Sequence, residues 1–258
     1  MLYCTRQKVG EKMKETTVLG IRVSVTTKEE LVALVKQSIT QDRKLTFVAI
    51  NARKVMRAKE QKEMADLLRT FDVFLADGAS IVAACDEPME RITGIDLMET
   101  LCAHAQELHL RVFLYGSTKE HNQKAQAALQ KQFPFLRIVG SIDGYDDADV
   151  IQRINQSQAN IVFVAKGTPA QERWIARHKQ EVCANVFLGI GGALDIWSGS
   201  LQRAPEWIQR LGFEWLFRML LQPKRLIQIP ELIRFQRLVM KDRKKRQVRK
   251  HGITEERN

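Results

Sequence analysis

Six short apolar runs recur along the chain, and every neighbouring pair is separated by a stretch with helical periodicity. The runs are "LTFVAIN" (45–51), "DVFLADG" (72–78), "RVFLYGS" (111–117), "RIVGSIDG" (137–144), "NIVFVAKG" (160–167) and "NVFLGIGG" (185–192). Their Val, Ile and Phe content, bounded by Gly, Asn and Asp, reads as buried strands. Between them, segments such as "KEELVALVKQSI", "ARKVMRAKEQKEMADLLRT", "TKEHNQKAQAALQKQF" and "PAQERWIARHKQEV" set an apolar stripe against good helix formers. A chain that must make a helix between successive strands returns each strand in the same direction. The alternation therefore predicts an α/β fold: a mostly parallel sheet with helices on both faces.

In such sheets ligands bind beyond the carboxyl ends of the strands. Five of the six runs end in Asn, Gly or Asp-Gly, so Asn51, Asp77, Gly116, Gly167 and Gly189 to Gly192 outline one candidate rim. Asp77 has two readings: a helix N-cap, or a general base whose pKa partial burial would tune. "GIGGALD" (189–195) resembles a loop whose backbone amides cradle phosphate, with Gly189, Gly191 and Gly192 as the glycines, and a ligand-free tight turn is the alternative. It fails as a dinucleotide fingerprint, because the third glycine of GxGxxG falls at Leu194. In "KGTPAQERWI" (166–175) Pro169 suits a helix start, whereas Gln171 is not required by the helix and is a possible ligand contact, with solvation as its default.

No metal site is expected. Asp147 and Asp149 of "DDAD" have DxD spacing, but they precede a helix, where acidic charge is favourable in its own right. His104 and His109 lie five apart on one expected helix, not at the i, i+4 spacing of a metal pair. Cys4, Cys85, Cys102 and Cys183 form no CxxC pair and read as small buried hydrophobes in a reducing compartment.

Charge is unevenly spread along the 258 residues. From Arg203 onward there are 15 Lys/Arg against 6 Asp/Glu, leaving 26 against 24 in the preceding part. Such a tail serves nucleic acid, an anionic membrane surface or solvation alone. In "PKRLIQIPELIRFQRLVMKDRKKRQVRK" the residues Leu226, Ile229, Leu232, Ile233, Val239 and Met240 are expected on one helical face, flanked by Arg225, Arg234, Arg237 and Lys241. The reading is a basic amphipathic helix that touches a membrane, with an ordinary helix packed on the body and ending in solvated charge as the alternative. Neither a signal peptide nor a spanning helix is expected, since the N-terminal stretch lacks an apolar core and no apolar run approaches ~18 residues.

Five motifs in order resemble the WecG/TagA/CpsF glycosyltransferase family: Asn51 followed by "ADG", "ERITGIDL", "VAKGTPAQERWI", "GIGGALDIWSGSLQRAP" and "GFEWLFRMLLQPKRL". The resemblance implies a Rossmann-like body and a C-terminal appendage that completes the site at the membrane. The corresponding divisions are a flexible 1–16, a core at 17–200 and a basic helical membrane-binding appendage at 201–258. It implies inverting transfer of N-acetylmannosamine from UDP-ManNAc to the 4-hydroxyl of a polyprenyl-diphosphate-linked GlcNAc, or transfer of the related uronic acid. The setting would be peripheral, on the cytoplasmic face of a bacterial membrane, in teichoic acid or surface polysaccharide synthesis. Asp77 would be the base; Asn51, Arg91 and Gln171 would contact substrate, and Arg218 and Arg225 would be appendage cations. Ala49 stands where the family's TxN motif has Thr, and Gln228 where a further basic residue is common.

The chemistry needs no cofactor: a carboxylate activates the hydroxyl, while arginines and amides stabilise the departing diphosphate. Two rivals are a nucleic-acid-binding protein and a nucleotide-sugar oxidoreductase. The first is disfavoured by a tail without interleaved aromatic platforms, so no nucleic-acid partner is expected. The second is disfavoured by the failed fingerprint. Oligomeric state is left open, a homo-oligomer included.

Overall fold

A computed structural model describes residues 13–145, 148–205, 207–208, 213–221, 226–227 and 229–255. All six expected strands form: β3 (Leu45–Ile50), β4 (Val73–Ala76), β5 (Arg111–Gly116), β6 (Arg137–Ile142), β7 (Ile161–Ala165) and β8 (Val186–Gly189). They build one sheet in the order β4-β3-β8-β7-β5-β6, and every neighbouring pair is parallel. Ahead of them lies a hairpin that the sequence reading did not anticipate, β1 (Glu15–Val18) and β2 (Ile21–Ser24). It lies against β4, whose Phe74 N–H donates to Ser24 Oγ at 3.1 Å. This contact occupies an edge that would otherwise present unpaired amides.

Strand pleating sends alternate residues to two cores. Val48, Ile50, Phe74, Tyr115, Val162, Val164 and Phe187 pack on one face with α2 (Ala52–Glu60), α3 (Lys62–Arg69), α7 (Val150–Ser157) and α8 (Ala170–His178). On the other face Phe47, Leu75, Leu114, Phe163 and Leu188 pack with α1 (Lys28–Thr40), α5 (Gly94–Glu107), α6 (Lys119–Gln132) and α9 (Ala193–Trp197). The full burial of β3, β4, β7 and β8 explains their unbroken apolar sequence.

This layering creates the crevices. The helix after β3 packs on one face and the helix after β8 on the other, so the two chain paths diverge above adjacent strands. The same divergence occurs between β7 and β5. Cavities open at both places.

Several expectations change. α5 ends at Glu107, so His109 lies beyond it with φ 54°, and the two histidines do not share a helix. Cys85 and Cys102 are buried as expected, but Cys183 is exposed; Cys4 lies outside the described residues. Asp149 occupies the N-cap of α7 without a side-chain capping bond, and Asp147 lies outside the described residues.

The tail forms α10 (Glu214–Leu221) and α11 (Ile229–Glu255). Its expected single apolar face is split. Leu226 precedes α11; Leu232, Phe235 and Val239 turn into the core, while Ile233 and Met240 are exposed. Phe235, at i+3 from Leu232 and i−4 from Val239, sets the inward stripe. Part of the charge is answered by the body: Arg234 contacts Glu60, and Arg243 and Arg246 contact Asp86. No helix among the described residues is long and apolar enough to cross a membrane.

Gly116 makes the sharpest demand on residue type at the strand ends. Its φ is +131°, and a Cβ there would lie 2.4 Å from the Ala165 carbonyl carbon on the paired strand. Gly116→Ala is expected to cost at least about 3 kcal/mol in urea unfolding, the scale of a clash added to backbone strain. A loss below about 1 kcal/mol would show that the β5–β7 junction is looser than described.

Candidate active site

The cavity above β3, β4 and β8 has a volume of about 420 Å³. Its lining brings together Asn51 and Asp77 from two strand ends, Gln171 from α8, and Gly189, Gly191 and Gly192 from the β8 turn. Thr93, Gly94 and Ile95 at the start of α5 form another wall, and Leu221 of α10 a further one. Six of the expected site residues thus converge within one crevice.

Each is held by local chemistry. Asn51 is the N-cap of α2, its Oδ1 accepting from Lys54 N at 3.0 Å, so the group it can offer a ligand is its Nδ2 amide. The Asp77 N–H donates to Ile50 O at 2.9 Å and Leu75 O at 3.0 Å, which locks the end of β4 to that of β3. The N-cap of α4 (Ala79–Ala84) is Gly78 with φ 119°, so the capping position expected for Asp77 is filled by its neighbour.

Gln171 is buried, overturning its default as a solvated residue. Its Oε1 accepts from Gly191 N at 2.9 Å, and its Nε2 donates to Glu172 Oε1 at 3.0 Å. An N–H can only donate and a carboxylate can only accept, so the two partners dictate which way round the amide sits. This costs the phosphate-cradle reading one donor, because the Gly191 amide is already used. A Cβ at Gly189 would lie 2.7 Å from Gln171 Nε2, so any larger residue there would displace the amide that holds Gly191.

Among these groups lies an ion pair absent from the sequence expectations, and its Lys54 lines the cavity. Lys54 Nζ stands 2.7 Å from Glu172 Oε1, with only 4% and 2% of the side chains exposed. Lys54 also donates to Ala49 O at 2.7 Å, and Thr168 Oγ1 donates to Glu172 Oε1 at 3.2 Å. A signal was present: Lys54 falls beside Val55 and Ala58 on the buried stripe of α2, and Glu172 beside Ile175 on that of α8. A lone charge on a core stripe calls for an opposite charge facing it.

The third wall is capped at Thr93, which forms a reciprocal capping box with Asp96. Burial works to raise the Asp96 carboxyl pKa, but the Thr93 hydroxyl and the Arg203 guanidinium outweigh it and hold the group below its usual range.

A second cavity of about 440 Å³ adjoins the first, sharing Gly191, Gly192, Ser200 and Leu201. Its walls carry Ser117, His121, Tyr145, Lys166 and Asp195. Asp195 Oδ1 accepts from Ser117 Oγ at 2.5 Å and lies 3.1 Å from His121 Nδ1.

Of the remaining expected residues, Arg91 is not among the lining residues of the first cavity, and its guanidinium faces Glu214 at 3.4 Å. Arg218 lies in α10, whereas Arg225 and Gln228 lie outside the described residues. Among the described residues no three His, Cys, Asp or Glu are grouped as metal ligands.

Removing one partner of a buried ion pair strands the other. Lys54→Met is expected to destabilise the protein by about 3–5 kcal/mol, with the Lys54→Met/Glu172→Met double variant recovering most of the loss. Chemical denaturation of the set, with Glu172→Met alone included, measures this; a double-variant loss equal to the sum of the two single losses would mean that the pair carries no special charge coupling.

The comparison with protein families accords with this geometry. The model described as the glycosyl transferase WecG/TagA/CpsF family matches residues 16–249, a span that takes in every strand of the sheet, the cavity walls and most of α11. Membership of such a family implies a sugar donor and an acceptor. With nearly its whole length matched, the chain belongs to the WecG/TagA/CpsF glycosyltransferase family.

Proposed function

We propose that the crevice above β3, β4 and β8 transfers N-acetylmannosamine from UDP-ManNAc to the 4-hydroxyl of GlcNAc-diphospho-undecaprenol, with inversion. The observation that carries this reading is the common cavity of Asp77, Asn51, Gln171 and the β8 glycine turn in a chain of this family. Asp77 is the general base. It takes the proton of the acceptor hydroxyl as that oxygen bonds to the sugar C1 from the face opposite UDP, and the C1–O bond to UDP breaks with its electron pair on the diphosphate. Asn51 and Gln171 bind on the donor side, with Gln171 also holding the turn in register.

The two adjoining cavities, each within the size range of small-ligand sites, suit an extended nucleotide sugar that passes Gly191 and Gly192. The reading assigns the departing charge to backbone amides of the turn and to Arg218 and Arg225. It routes no step through a metal.

Residues 17–200 are read as the catalytic core and 201–258 as an appendage at the cytoplasmic face of the membrane. Two surface features support this. On α11, Ile233, Arg237, Met240, Lys241 and Lys244 follow i, i+4, i+7, i+8, i+11 spacing and are all exposed. Nearby segments expose Trp207, Leu220 and Ile227. Apolar side chains flanked by cations suit an anionic bilayer, where each cation contributes about 1 kcal/mol. The product would serve teichoic acid or surface polysaccharide synthesis. Ala49 in the cavity wall favours a second reading, a different donor such as UDP-ManNAcA, because the hydroxyl of the motif's Thr is absent.

Asp77→Asn keeps the shape of the site and removes its base. Turnover is expected to fall about 100-fold or more while the affinity for the UDP-sugar changes little. Near-normal turnover would remove Asp77 from the chemistry.

A further inference from the structure

α10 begins with Glu214, a carboxylate that is only 7% exposed, although most of the apolar side chains around it face outward. Trp215, Leu216, Leu220 and Leu221 are exposed, and Met219 is the one apolar side chain of α10 described as buried. Hydrophobic packing therefore holds this helix weakly. Charge provides the alternative. Glu214 Oε2 lies 3.4 Å from Arg91 Nη1, with 9% and 20% of the two side chains exposed.

Arg91 is itself firmly placed. The N–H of the next residue, Ile92, donates to Ala76 O at 3.1 Å, one residue before Asp77. Arg203 stands close by, donating to Glu99 at 3.1 and 3.2 Å and contacting Asp96. Burial works to lower its pKa, but Asp96, Glu99 and Glu214 together raise it. Glu214 thus sits in the field of two arginines fixed to the core, and removing Arg91 would weaken the compensation of a buried charge. Seven residues further along α10, about 10 Å at the helical rise, Leu221 lines the first cavity.

We propose that the Arg91–Glu214 ion pair is a latch that docks α10 against the cavity mouth, making Arg91 a positioning residue. Its charge is spent on Glu214, and through α10 it sets the wall that Leu221 supplies. The latch joins the strand end carrying Asp77 to the helix whose Leu221 lines the first cavity, so closing it sets that wall beside the proposed base. The exchange readout below stands independently of the chemistry; the kinetic readout rests on the sugar-transfer reading.

The test uses the full chain with Arg91→Glu, Glu214→Arg and the charge-exchanged double variant. Hydrogen–deuterium exchange of peptides covering 213–221 is expected to speed up about tenfold in each single variant and to return to within about threefold in the double. Protection in β3, β4 and β8 should not change. In sugar transfer, the single variants should raise the donor KM about tenfold with a smaller change in kcat, and the double should recover most of the loss. Unchanged exchange in the single variants, or a double as exposed as the singles, would overturn the latch. So would Arg91 variants that abolish transfer while Glu214→Arg preserves it, since Arg91 would then act on substrate directly. If a reversed charge prevents folding, Glu214→Gln removes only the charge and carries the same exchange readout. A wild-type chain that transfers no sugar would defeat the functional reading and leave exchange to decide the latch.

Discussion

The buried pair of Lys54 and Glu172 is the constraint on which the site's geometry depends. Two charges removed from water cost several kcal/mol each unless they meet at close range with their other valences satisfied. Here Lys54 bonds Glu172 Oε1 and the carbonyl of Ala49, and Thr168 and Gln171 donate to the same Glu172 oxygen, while Glu172 Oε2 is buried with no hydrogen-bond partner among the described residues. The pair fastens α2, which follows β3, to α8, which follows β7, across the intervening strand β8. Gln171 then has one possible orientation, and that orientation holds Gly191. A buried charge pair whose Lys54 lines the cavity thereby sets the shape of the turn.

The same economy runs through the rest of the rim. Asn51 begins α2 and lines the cavity, Thr93 begins α5 and lines it too, and Asp77 ends β4 at the same opening. Where helices leave adjacent parallel strands toward opposite faces, the first residues after the strands are the ones left around the gap. Polar residues there are needed to start helices and are also available to a ligand, so structural and functional roles fall on the same positions.

Much of this was legible beforehand because it rests on short-range pattern. Continuous apolar runs marked the six strands, and their Asn and Gly endings marked the rim. Motif order pointed to the family. What escaped depends on partners distant in sequence. Lys54 and Glu172 are 118 positions apart, and only the fold makes them neighbours. The β1–β2 hairpin was obscured by its brevity, four residues in each strand. In α11 the apolar positions were identified, but the helix offers two adjacent faces, and packing of Phe235 against the core decided which one turned inward. Arg91 was recognisable as part of a motif, whereas its pairing with Glu214 joins segments that no local rule connects.

The central claim is that this rim moves an N-acetylhexosamine from a UDP-sugar to a lipid-linked GlcNAc. It is tested most directly by incubating the full-length protein with a panel of UDP-sugars and a short-chain GlcNAc-diphosphoprenol, and reading the lipid by mass spectrometry. The account predicts a product heavier by one N-acetylmannosamine residue, formed from UDP-ManNAc and released with UDP. An acceptor unchanged in mass with every donor, under conditions where the protein is folded, would contradict it.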